Sequence, residues 1–181
     1  VTRHTFLLQQ FRPGPETVRP CLAVSGTATR HGNEMSLQYL VSGDIHYLEI
    51  LERKEAGSRC HGLWQASCFE CFIGMKDSAR YWEVNIATNG DWNLYSFSGY
   101  RQGMIEEAAF NTLPCTFYQT KDEIWLDLRV DLSLLVREEH PLEVGISTVL
   151  KHRNGETSFW ALRHQEEKPD FHHRSGFLLT M

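Results

Sequence analysis

Alternation of apolar and polar positions dominates this chain, and helical periods are scarce. The clearest case is EIWLDLRV. Ile124, Leu126, Leu128 and Val130 face one way, and Glu123, Trp125, Asp127 and Arg129 the other, the period of a half-buried strand. Leu22 to Arg30 and Glu34 to Ser42 read as two more strands joined by the short polar turn Arg30-His31-Gly32-Asn33. RYWEVNIATNGDWNLYSF reads as a hairpin whose β-rich runs flank Asn89-Gly90, a dipeptide that tolerates positive φ in a tight primed turn. LEVGISTVLKHRNGETSFWALRH is a second hairpin candidate around Asn154-Gly155, and SGFLLTM reads as a closing strand. Gly14-Pro15 and Pro169-Asp170 signal loops. Helical expectations are limited to two turns over Gln102 to Phe110 and one over Asp131 to Arg137, with Asp131 as N-cap. About ten short strands with regular turns predict an all-β fold, an antiparallel β-sandwich of the immunoglobulin or jelly-roll kind with one or two short helices.

GLWQASCFECFIG, residues 62–74, complicates this pattern. It reads as a buried strand, yet it carries a carboxylate. Alternation puts Cys68, Glu70 and Phe72 on one face and Phe69, Cys71 and Ile73 on the other. The second set reads as sandwich core. The first set lies on an apolar surface where an unpartnered charge costs several kcal/mol, so Glu70 requires hydrogen-bond donors or an opening to water. It is either a structural partner of a cation such as Arg80 or Arg101, or an acceptor lining a pocket. In the neighbouring hairpin Tyr81, Glu83 and Asn85 share a face, while Trp82 falls with Val84 and Ile86 and is assigned to the core. Trp92 and Trp125 are open to either reading.

The totals narrow the function. The chain has 181 residues, the size of one domain spanning 1–181. A net charge of −5 and a pI near 6 argue against a nucleic-acid partner. No run reaches the roughly 18 apolar residues of a membrane span. The start, VTRHTFLLQQFRPGPE, lacks the order of a signal peptide. Together with five cysteines, an odd number, this gives the expectation of reduced thiols in the cytoplasm. Cys60-His61 and Cys68-x-x-Cys71 invite a zinc reading. Residues three apart on a strand point to opposite faces, so core-filling thiols are the better reading and no metal is expected. His164 with Glu166 or Glu167, or Glu70 with Glu83, could make an acid–base pair. There is no nucleophile elbow, phosphate loop or HExxH helix, and catalysis is not expected.

LWQASCFECFIG followed by YWEVNIATNGDWNLYSF resembles the DOMON-like domains related to type 9 carbohydrate-binding modules. The resemblance rests on Trp64, Glu70, Phe72, Tyr81, Glu83 and Gly90, and on the close FWALRHQEEKPDFHHRSGFLLTM; it spans roughly residues 35–181. A group of bacterial stand-alone DOMON-like proteins matches still better through LWQ-x-x-CFE and DWNLYSFSGYRQGM. The resemblance implies a β-sandwich that binds a small ligand without catalysis, a carbohydrate or sugar-containing metabolite first. It implies Trp64 and Trp160 as two walls clamping a sugar ring, and Glu70 as the acceptor of its hydroxyls. Asn85, Arg101 with the adjacent Gln102, and Arg163 with His164 are further polar candidates from their position along the chain. Some relatives bind haem through methionine, histidine or lysine, which makes Met104 and His172-His173 the features of an alternative, haem-binding reading.

Overall fold

The computed structural model describes residues 1–12 and 21–181, so the Gly14-Pro15 signal lies outside the described residues. Two antiparallel sheets pack face to face. The five-stranded sheet is ordered β1 (Thr2–Leu7), β3 (Leu22–His31), β4 (Glu34–Gly43), β10 (Glu123–Asp131) and β9 (Cys115–Gln119). The eight-stranded sheet runs β2 (Gln9–Gln10), β12 (Thr157–Ala161), β11 (Leu142–Lys151), β5 (Cys68–Met75), β6 (Tyr81–Ala87), β7 (Trp92–Phe97) and β8 (Ile105–Glu106), with β13 (Leu179–Thr180) also paired to β11. The sandwich predicted from alternation is therefore the fold, and among the described residues its helical content is confined to short 3-10 turns.

The interior is built from the inward face of each strand. Met35, Leu37, Tyr39 and Val41 of β4 and Ile124, Leu126, Leu128 and Val130 of β10 meet Phe69, Cys71 and Ile73 of β5 and Trp82, Val84 and Ile86 of β6. Tyr39 crosses the core and donates its hydroxyl to the Glu70 carbonyl at 2.8 Å, which satisfies a buried phenol. The N-terminal segment ties the two layers together. β1 edges one sheet, β2 edges the other, and Leu8 between them is buried.

Both Asn-Gly sites are hairpin turns, but not two-residue primed ones. At the first, Gly90 N–H donates to Ala87 O, Ala87 N–H donates to Asp91 O, and only Gly90 has positive φ. The second repeats this between His152, Gly155 and Glu156. These are three-residue loops, a type I turn closed by a left-handed glycine. The helix expected over Gln102 to Phe110 is absent. Arg101 and Gly103 both take positive φ, which folds this stretch into a tight turn, and the chain then continues as edge strand β8 against β7. The turn expected after Asp131 is present as the 3-10 segment η3 (Leu132–Leu134), with the Asp131 carboxylate accepting from Ser133 N–H at 3.0 Å.

Strands β5, β6 and β7 are buried on both faces, apart from a half-buried Met75. One face meets the other sheet. The opposite, outer face is roofed by two irregular segments: 59–66, which contains the 3-10 turn η2 (Leu63–Gln65), and the loop 162–178. Whatever this face carries is enclosed between strands and roof.

Candidate functional site

Register fixes the composition of the roofed face. One row across the sheet reads Ala161, Ser147, Glu70, Asn85 and Asn93; the next reads Gly145, Phe72, Glu83 and Tyr95. An apolar row of Phe159, Val149, Cys68 and Ala87 closes one end, and Tyr81 beside Phe97 closes the other. A strip of carboxyl, amide and hydroxyl groups thus lies between two hydrophobic clusters.

The two carboxyls sit on neighbouring strands and face the same way. Glu70 is 3% exposed and accepts from Ser147 Oγ at 3.2 Å. Burial first, then the charge of Glu83, push its carboxyl well above the usual range, with the Ser147 hydroxyl pulling the other way. Glu83 accepts from Asn85 Nδ2 at 2.9 Å. Burial raises it to about 7, opposed by that hydrogen bond and by Arg101. Asn85 Oδ1 is buried with no hydrogen-bond partner, an acceptor aimed into the strip with nothing donating to it. At neutral pH the strip therefore offers donors and acceptors together, since a protonated carboxyl donates where an ionised one only accepts. Asn93 is already engaged, taking Arg59 Nη1 at 2.9 Å and donating to Tyr95 Oη and Glu106 Oε1.

The roof is aromatic. Gly62 takes positive φ and starts η2; Leu63 drops into the cluster with Cys68, Ala87 and Val149, and this leaves Trp64 half-buried over Tyr95. His61 stands edge-on to Trp64 and meets the Tyr95 hydroxyl at 3.0 Å. From the other side come Phe171, His172 and Phe177. The Tyr81 hydroxyl accepts from Arg101 N–H and meets His172 Nδ1 at 2.8 Å. With the hydroxyl as donor to Nδ1, the single proton of the neutral imidazole sits on Nε2, which faces Glu83 Oε2 at 3.8 Å. Burial, then Arg101, push His172 down to about 4, with Asp170 opposing, so this is a contact of a neutral ring and not an ion pair at pH 7. Gly74 and Gly145 make the loop's close approach feasible. A Cβ on Gly145 would lie 2.8 Å from the Phe177 ring, and one on Gly74 would overlap the Arg174 guanidinium. Between roof and strip remains a cavity of about 10 Å³, lined by Phe72, Ser147, Arg163, Asp170 and Phe171, the scale of a single water.

The structure brings some predicted residues together and separates others. Trp64, Glu70, Asn85 and Arg163 belong to the roofed face. Arg101 stands at its rim, where its guanidinium pairs with Asp170 at 2.9 Å and so anchors the loop. Gln102 completes the turn there, its carbonyl accepting from Ser98. His164 meets Gln9 O at 2.8 Å and ties the loop to the N-terminal segment. Trp160 is corrected. It pairs with Thr148, which pairs with Phe69, and all three point into the sandwich. Its ring is 5% exposed in the main core, and its indole N–H donates to Ser158 Oγ. Trp64 and Trp160 thus lie on opposite faces of one sheet and cannot clamp a ring between them. Phe171, like Trp64, packs against the aromatic cluster of the roofed face. Of the features of the haem reading, His172 is in the roof and bound to Tyr81, His173 Nδ1 meets Ser175 Oγ at 2.5 Å, and Met104 is exposed after the turn at 101–103. All five cysteines are free; Cys68 and Cys71 point to opposite faces, and no group of three metal-ligating side chains occurs among the described residues.

Against solved structures, the chain is similar to a protein of Bacteroides uniformis ATCC 8492 described as a "putative carbohydrate-binding protein", with a TM-score of 0.66 and 15% identity over 97% of this chain and 84% of that one. It is also similar to a family 9 carbohydrate-binding module from Caldicellulosiruptor kristjanssonii in complex with glucose, with a TM-score of 0.48 and 12% identity over 86% of this chain and 74% of the module. The first likeness establishes a shared fold. No protein-family model and no curated protein matches the sequence.

Sequence reasoning missed His61, Tyr95 and Ser147. The signal for Tyr95 was available: Asn93, Tyr95 and Phe97 share the outward face of a strand whose hairpin partner carries Glu83 and Asn85. Ser147 follows only from its register opposite Glu70, which no local pattern reveals.

Proposed function

We propose that this protein binds carbohydrate without transforming it, at the roofed face of the eight-stranded sheet. One observation carries the reading: the buried row Ser147–Glu70–Asn85, with its unpartnered amide oxygen, under the half-buried indole of Trp64. Sugars present hydroxyls on their edges and C–H groups on their faces. A few placed polar groups beneath an aromatic surface suit both. In this reading Trp64 is one wall and Phe171 the other, while Glu70, Glu83 and Asn85 take hydroxyls and Arg163 closes the edge. The likeness to the Bacteroides protein supports it at the level of fold. A sugar ring does not fit a 10 Å³ cavity, so binding requires the loop 162–178 to swing outward and exchange its Phe171 and His172 contacts for ligand contacts.

The geometry disfavours glycoside hydrolysis. Such chemistry places two carboxyls on either side of the scissile bond. Glu70 and Glu83 project from the same face of adjacent strands, diagonal to one another in register, and would contact one side of a ring together.

Calorimetric titration with glucose, xylose, mannose, galactose and their trisaccharides tests the proposal. Saturable binding that disappears in Trp64→Ala and Glu70→Gln, and persists in Trp160→Phe, is expected. Binding indifferent to Trp64 and Glu70, or no binding by any sugar, overturns it.

A further inference from the structure

The outer face of the five-stranded sheet is open, and its side chains fall into ordered rows. Leu7, Ser25, Leu40, Trp125 and Tyr118 are register partners across all five strands. Beside them runs a polar row of Thr5, Thr27, Gln38, Asp127 and Thr116, and beyond it Arg3, Thr29, Ser36 and Arg129. Trp125 is 39% exposed and Tyr118 62%. A groove of about 600 Å³ runs over the second and third rows, within the size range of ligand sites. Gln38 is held at its centre, accepting from Thr27 Oγ1 at 3.0 Å and donating to Asp127 Oδ1 at 2.7 Å.

We propose that this groove is a second binding surface, and that its occupant is an extended, neutral, β-linked oligosaccharide lying across the strands. Three features select that occupant. Neighbouring strands lie about 4.7–4.9 Å apart, close to the rise per sugar of an extended β-linked chain, so the polar row supplies roughly one hydroxyl, amide or carboxylate per ring. Trp125 and Tyr118 are exposed register partners in the row that borders the groove, and they supply aromatic surface against which a sugar ring can pack. The groups facing the groove are mostly uncharged, with Asp127 offset by Arg129, and the chain carries a net charge of −5. That suits a neutral polyol and disfavours a polyanion. The surface lies on the opposite layer from the roofed face, shares no residue with it, and does not depend on the proposal made above.

The test titrates cellohexaose, xylohexaose and mannohexaose into the wild-type chain, into Trp125→Ala, Tyr118→Ala, Gln38→Ala and Trp64→Ala, and into Trp64→Ala combined with Trp125→Ala or Gln38→Ala, with thermal melts to establish that each variant is folded. At least one hexasaccharide is expected to keep binding when Trp64→Ala disables the roofed face, and that residual affinity is expected to fall roughly tenfold or more (about 1.4 kcal/mol) when Trp125→Ala or Gln38→Ala is added to Trp64→Ala. Gln38→Ala keeps both aromatic rings and reports on the polar row alone. Absence of binding by all three probes, or binding lost in Trp64→Ala and untouched in Trp125→Ala, overturns the proposal. So does light scattering that finds a wild-type dimer dissociated by Trp125→Ala, because a second copy of the chain is then the occupant.

Discussion

At the scale of the residue, the roofed face is governed by proton affinity. Glu83 ionises near 4.5 in the unfolded chain and near 7 in the folded one. Folding therefore favours the protonated form, and the stability associated with that proton is lost as pH rises from about 4.5 through 7. Urea unfolding of the wild type should give a more stable protein at pH 5 than at pH 8, and Glu83→Gln should remove much of that slope; an unchanged slope contradicts the assignment. Glu70 is shifted in the same direction, so the double replacement should flatten the profile further. The two tryptophans of the sequence reading make a second residue-scale contrast. Trp160→Ala empties a site in the closed core and should cost about 3–5 kcal/mol. Trp64 is half-buried on the roof, and its replacement should cost markedly less. Equal losses in denaturant titration would mean that the roof is as much core as the interior.

At the scale of the element, the loop 162–178 is docked by a few specific contacts. Asp170 meets Arg101 and Tyr100; Arg174 meets Glu143 and the Met75 carbonyl; Phe177 rests on Gly145. The glycines are permissive by their missing side chains. Gly145→Ala would press a methyl into the Phe177 ring, a strain of about 1–3 kcal/mol relieved by lifting the loop. Limited proteolysis should then cut within 162–178 faster than in the wild type, while amide exchange in β5 and β10 stays slow. Equal cleavage rates would show that the glycine does not govern docking. How far elements were legible in the sequence depended on where their information lies. β10 was readable because its two faces meet different solvents, core and water. β5 and β6 were readable as strands, with Glu70 in one and Glu83 with Asn85 in the other marking the face away from the core, but nothing along the chain showed that this face is roofed. The stretch after Tyr100 had helix-compatible residues, yet two positive-φ positions and pairing to β7 decided its conformation.

At the scale of the whole molecule, the N-terminal segment edges both layers, because β1 pairs with β3 and β2 with β12. Deleting residues 1–10 should expose two strand edges and remove Phe6 and Leu8 from the core. A lower melting temperature and concentration-dependent light scattering are expected; an unaltered melt would show that the two layers do not need this clasp. The same architecture gives the molecule two dissimilar outer faces, one roofed over buried carboxyls and one open with rows of aromatic and hydroxyl groups. The sequence alone determined the β-rich architecture, the core face of β5 and β10, and Glu70 as the anomalous group, because alternation and burial cost are local properties of the chain. Tertiary structure decided which side chains share a face. It sent Trp160 inward and left Trp64 outside, set Ser147 beside Glu70, and carried Phe171 and His172 over the same face of the sheet. Those outcomes depend on strand order and register between segments distant along the chain, and no local pattern encodes either.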